Sequence, residues 1–293
     1  MKKFITATAL ALAFGLAASA QFPGMPKPQP QDLRTISSGK LTMTVDAGNG
    51  AKILSFKYED KEIISQLQMF NAFGSTFWTS PQAEWNWPPV AEYDRLPYEV
   101  ETKGEALVMN GKPSEKFGYS IRKEFVPGED CIVVNYSIIN HSDQTRKVAP
   151  WEITRVKGEG LIFFECPSSE IWPEGLMTFS DKYGCSWYNF DESKENRKIN
   201  ANGKGWLAYT NRELLLVKDF SDLEAGQAAP GEDEIQVYVN QGQTFIELES
   251  QGAYLSLAPG ESLTYSVRWM LLPCRNDCKP SKTLLKAAKK NLK

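Results

Sequence analysis

Histidine is almost missing from this chain: His141 is the only one in 293 residues. One imidazole cannot build a histidine-rich zinc site, and no CxxC…CxxC spacing offers thiolates instead. No metal and no cofactor is therefore expected. No GxSxG occurs, so a Ser-His-Asp nucleophile has no motif behind it. His141 itself lies in the polar stretch 140–143 and reads as a solvent-facing turn residue. Positive charge is also in short supply, with 33 Lys and Arg against 36 Asp and Glu and a formal net charge of −3. No basic stripe is present to neutralise phosphates, which argues against a nucleic-acid partner. Sustained helical periodicity, internal repeats and composition breaks are all lacking from the body of the chain. A second long apolar run is lacking too, so an integral membrane protein is not expected.

The one apolar run stands at the start. Lys2 and Lys3 precede a short apolar stretch over residues 4–17, and Ala18, Ser19 and Ala20 follow as small residues. That three-part pattern is a cleavable signal peptide over residues 1–20, with cleavage after Ala20 and a periplasmic or secreted product. Residues 21–33 form a leader containing Pro23, Pro26, Pro28 and Pro30, a composition suited to extended chain.

From residue 34 the pattern is strand after strand. Leu41, Met43 and Val45 alternate with polar neighbours, the signature of a half-buried strand. Further strands are expected at 53–58, 131–139, 214–217, 235–239, 244–248 and 263–271. Many half-buried strands need a second layer over their apolar faces, so residues 34–273 are read as one large antiparallel β-sandwich in an all-β fold. Residues 274–293 form a tail with a short C-terminal helix, Ser281 serving as N-cap and Leu284, Leu285 and Ala288 lying on one side. Five cysteines follow the signal segment. Cys274 with Cys278 is the first choice for a disulfide, Cys166 with Cys185 the second, and Cys131 reads as a buried thiol.

Three segments could carry chemistry. Residues 73–89 fit neither a strand nor a helix period and hold Trp78, Trp85 and Trp87 among Ser80, Gln82, Glu84 and Asn86. Aromatic planes suit the C–H faces of a sugar ring, and the amides and carboxylates suit its hydroxyls. The alternative is a loop that plugs one end of the sandwich. Residues 149–156 place Glu152, Thr154 and Arg155 between apolar strand residues, where a charge needs a partner or a pocket. Residues 245–252 send Glu247 and Glu249 to one face and Ile246 and Leu248 to the other. Neighbouring carboxylates raise each other's proton affinity, which suits acid/base work.

With these segments in view, the chain resembles the galactose-mutarotase-like (aldose 1-epimerase-like) superfamily over most of residues 36–272. More closely, it looks like a secreted bacterial branch of that superfamily, defined as a domain of unknown function. The resemblance rests on residues 41–64 as an opening hairpin, on 133–141 leading into a central strand, and on 245–251 followed by Leu257, Pro259, Gly260 and Glu261. It implies a β-supersandwich and puts Glu249 at the position of the family's catalytic base. The family's histidine acid has no counterpart, since Trp151 and Glu152 stand on the corresponding strand. Three readings follow. The first is a saccharide-binding protein with Trp78, Gln82, Trp85 and Trp87 of one loop as platform and Glu152, Arg155 and Glu249 as polar contacts. The second is an epimerase or glycoside-cleaving enzyme using a Glu152/Glu249 carboxylate pair. The third is a structural envelope protein whose tryptophans belong to the core.

Overall fold

Strand Cys131–Asn140 alternates buried and half-buried positions along its length, so one face meets the core and the other solvent. Arg146–Lys157 behaves differently. It is buried at every position from 148 to 156, although it carries Glu152 and Arg155. Such a strand needs cover on both faces, and the architecture supplies it. The computed structural model describes residues 31–69, 72–290 and 292. The signal segment and residues 21–30 of the leader lie outside them.

Two ten-stranded antiparallel sheets pack face to face. The front sheet runs Leu33–Ser38, Leu41–Asp46, Lys52–Tyr58, Ser75–Ser80, Arg146–Lys157, Phe245–Gln251, Ile235–Val239, Arg197–Ala201. Two short strands, Lys61–Glu62 and Leu255–Leu257, attach to it. The back sheet has Ser262–Pro273 and Cys131–Asn140 near its centre. Between the sheets, Phe56 meets Trp269 edge-on at 5.6 Å and Phe77 stacks on Tyr136 at 4.5 Å. A second apolar cluster lies on the outer face of the back sheet, where Phe163, Trp187 and Trp206 pack with Leu284 and Ala288 of the C-terminal helix. That helix spans Lys282–Lys289, and the Ser281 side chain accepts a hydrogen bond from the Leu284 amide at 3.2 Å. The expected sandwich and its short terminal helix are both present. Among the described residues no helix is long and apolar enough to cross a membrane.

Two expectations need correction. Residues 73–89 are not a loop throughout, because Ser75–Ser80 is a fully buried strand at the heart of the front sheet. Its run of Ser, Thr, Phe and Trp shows no alternation because both of its faces are covered. The cysteines are also unpaired: all five are free thiols. Cys166 faces the inter-sheet core and Cys185 the outer cluster, so they point to opposite sides of the back sheet. The 274–278 turn is closed instead by Asn276, which donates to the Cys274 carbonyl and accepts from the Cys278 amide.

Candidate functional site

Register decides which side chains meet. Directly paired residues on neighbouring strands share a face of the sheet. Trp78 pairs with Trp151, and Trp151 with Gln251. One row along, Thr76, Ile153, Glu249, Gln236 and Asn200 stand side by side. The next row is Arg155, Glu247, Tyr238 and Lys198. All of these residues project from the outer face of the front sheet. The intervening positions, including Phe77, Glu152, Thr154 and Leu248, project into the sandwich.

The outer face opens into a cleft of about 480 Å³. Trp78, Trp87 and Trp151 form an aromatic wall, with Gln82 beside them and Phe245 opposite. Trp87 is 62 % exposed and meets Trp78 edge-on at 6.2 Å. Trp85 does not line the cleft. It is buried behind the wall, 5.5 Å from Trp78, and donates its indole N–H to the Thr79 carbonyl at 2.9 Å. Trp78 is pinned from below by Asp94, whose Oδ1 accepts from the Trp78 indole at 3.0 Å and from Thr76 at 3.1 Å. Burial alone would raise the Asp94 carboxyl. The charge of Lys52 at 2.9 Å and hydrogen bonds from Lys52 and Trp78 together hold it below the usual range. Gly50 brings this support close: a Cβ there would lie 2.1 Å from the Asp94 carbonyl oxygen, and its φ of +64° is in the left-handed region.

The polar lining is made of ion pairs. Arg155 bridges to Glu247 at 2.7 Å and donates to the Phe73 carbonyl at 3.3 Å. Its guanidinium lies 6.0 Å from the Trp78 ring centroid and 5.9 Å from that of Phe245. Lys198, 33 % exposed at its side chain, reaches 3.0 Å from Glu249 Oε2 and sits 4.5 Å over the Trp151 ring. The Trp151 indole donates to the same Glu249 oxygen at 2.7 Å. Glu249 itself does not line the cleft: it is fully buried, held by Trp151 and Lys198, which do line it. Its Oε1 has no partner among the described residues. Burial, helped by the charge of Glu247 and opposed by Lys198, pushes its carboxyl up to about 7. A carboxyl poised there can take or release a proton near neutral pH. Burial and the neighbouring glutamates likewise push the Tyr238 phenol up to about 12.

Glu152 is not part of this site. It pairs in register with Ser250 rather than with Glu249, a one-residue offset that reverses its face. Its carboxylate is fully buried between the sheets, held by Lys218, by Ser75 at 2.7 Å and by Thr154 at 2.6 Å. The Glu152/Glu249 pair does not form. His141 is exposed in its turn, with Nε2 2.8 Å from the Ser120 hydroxyl. Lys198, Tyr238, Asn240 and Phe245 are cleft residues that sequence reasoning missed. Alternation in the strand 235–239 carried a signal for one of them, since Tyr238 lies between Val237 and Val239 and shares its face with Gln236. No group of three or more His, Cys, Asp or Glu that could hold a metal occurs among the described residues.

No family model matches this chain, and no curated protein matches it. Solved structures do. An Escherichia coli K12 protein described as a candidate aldose 1-epimerase is 13 % identical, with a TM-score of 0.61, over 83 % of this chain and 100 % of that one. A galactose mutarotase-like protein from Lactobacillus casei is 12 % identical, with a TM-score of 0.58, over 82 % and 100 %. A galactose mutarotase related enzyme from Lactobacillus acidophilus is 11 % identical, with a TM-score of 0.57, over 85 % and 100 %. Together with the two antiparallel sheets, these likenesses identify the fold: the chain is a galactose mutarotase-like β-sandwich.

Proposed function

We propose that this chain is an exported carbohydrate-binding protein whose ligand lies in the cleft on the outer face of the front sheet. The observation that carries the reading is a cleft lined by Trp78, Trp87 and Trp151 together with Arg155, Lys198, Glu247 and Gln82. Apolar ring faces pack on the indoles while hydroxyls pair with the surrounding charged and amide groups. The names of the similar structures refer to aldose and galactose chemistry, which supports a sugar in this place. The envelope-protein reading needs Trp78, Trp85 and Trp87 buried away from any pocket; Trp85 is so placed, but Trp78 and Trp87 line the cleft. Calorimetry against a glycan panel tests the proposal. Trp87→Ala should weaken the best ligand by about tenfold, equivalent to ~1.4 kcal/mol. Its melting temperature should barely move, because the ring is mostly exposed. Binding to no saccharide at all overturns the reading. Export rests on Lys2 through Ala20. Protein recovered outside the cytoplasm should begin at Gln21, and a cytoplasmic chain retaining Met1 overturns it.

One observation favours a second reading, a divergent carbohydrate-active enzyme. Glu249, buried behind Trp151 and Lys198 of the cleft lining, combines a carboxyl near 7 with an unpaired oxygen, and once uncovered to the cleft it suits removal of a proton from an anomeric hydroxyl. Polarimetry on a pure α-anomer separates the two: accelerated conversion that Glu249→Gln abolishes makes the protein an epimerase.

A further inference from the structure

Six of the eight tryptophans are buried, and the two that are not are Trp87 and Trp172. Trp87 belongs to the cleft. Trp172, 40 % exposed, is absorbed by nothing described so far. It forms an antiparallel bridge with Asn200 on the outer edge of the front sheet, its amide donating to the Asn200 carbonyl at 3.0 Å and its carbonyl accepting at 2.7 Å. Bridged residues share a face. Trp172 therefore stands on the same face as Asn200, Gln236 and Glu249 and ends their row. Three inter-strand steps of about 4.8 Å put its backbone on the order of 14 Å from the strand of Glu249.

Two further observations connect this tryptophan to the cleft. The first is its mounting: its indole N–H donates to Asp233 Oδ2 at 2.5 Å. The adjacent Glu232 accepts from the Gln82 amide at 2.7 Å and from the Gln251 side chain at 2.6 Å. One short segment thus fixes both Trp172 and the Gln82 rim of the cleft. The second is the row between them. Gln236 is fully buried, and neither its amide oxygen nor its amide nitrogen has a partner among the described residues. Glu249 Oε1 beside it is unpaired as well. Buried polar atoms without partners are costly, about 1–3 kcal/mol each in general, and these three lie closed to solvent under the row that runs between the cleft and Trp172.

We infer that Trp172 is a second sugar platform and that the ligand is an oligosaccharide lying across the strands, from the Trp87 wall to Trp172. The inference rests on the carbohydrate reading of the cleft and adds chain length to it. Calorimetric titration with single sugars and with their gluco-, galacto-, manno- and xylo-oligomers up to hexasaccharides tests it. Affinity should rise about tenfold with chain length. Trp172→Ala should bring the longest oligomer back to the affinity of the single sugar, and Trp172→Tyr should recover part of the gain by keeping an aromatic face. Trp87→Ala should weaken every member of the series. Affinity that is flat with length, or a length gain that survives Trp172→Ala, overturns the second platform while leaving the cleft reading intact. Binding to no member, in the wild-type protein, overturns both.

Discussion

An ionised carboxylate at position 249 is held away from water, and its nearest cation, Lys198, is shared with solvent. The balance leaves its carboxyl near 7, against about 4.3 for an ordinary glutamate. Between those two pH values the folded protein holds a proton that the unfolded chain has released. This group's contribution to folding stability therefore falls as pH rises from about 4.3 to 7 and levels off above that. Glu234, pushed up to about 7 mainly by burial, contributes a slope of the same sign. Glu249→Gln cannot ionise, so it should gain up to about 3–4 kcal/mol at pH 8 and little at pH 4, while the pH slope roughly halves. Urea unfolding at the two pH values measures this, and an unchanged slope would assign the titration to other groups. The same variant should bind sugar more weakly, which separates a functional cost from a folding one. That Glu247 and Glu249 share a face was legible from alternation alone. The raised carboxyl was not, because it depends on Trp151 and Lys198 from other strands.

Strands were legible where one face is wet. Ile235–Val239 lies where its sequence pattern puts it, and Cys131–Asn140 differs by one residue. Ser75–Ser80 was not legible, since a strand covered on both faces loses the period of two. It holds Trp78, so the cleft's central wall was read as loop. The C-terminal helix shows the opposite case, with its start written in local chemistry. Ser281 caps the Leu284 amide, and Leu284 and Ala288 dock on the cluster around Trp206. Ser281→Ala should cost about 1 kcal/mol in thermal or denaturant unfolding. Sugar binding should stay intact, because the helix packs on the far face of the back sheet. A loss of affinity in that variant would show the helix coupled to the cleft.

The two sheets are tied by a buried charge pair as well as by apolar packing. Glu152 on the front sheet meets Lys218 on the back sheet, and Lys218 also donates to Thr154 at 2.5 Å and lies 4.3 Å over the Trp269 ring. Burial lowers the Lys218 ammonium's proton affinity, and Glu152 opposes this. Removing one partner strands the other charge, so Glu152→Gln should cost about 3–5 kcal/mol. Replacing both residues with apolar ones of similar volume should cost far less. Equal losses from the single and double variants, measured by denaturant unfolding, would contradict this structural role.

By itself the sequence determined the all-β class, the capped terminal helix, the shared face of Glu247 and Glu249, and a tryptophan-rich region around residue 80. These follow from local periodicity and capping, which act over a few residues. Only the tertiary structure decided that Glu152 and Glu249 face opposite ways, that Lys198 and Trp151 cover Glu249, and that Trp172 shares its row. Those facts depend on strand register, where a slip of one residue reverses a side chain's face. Register is set by pairing between segments as far apart as Trp151 and Gln251.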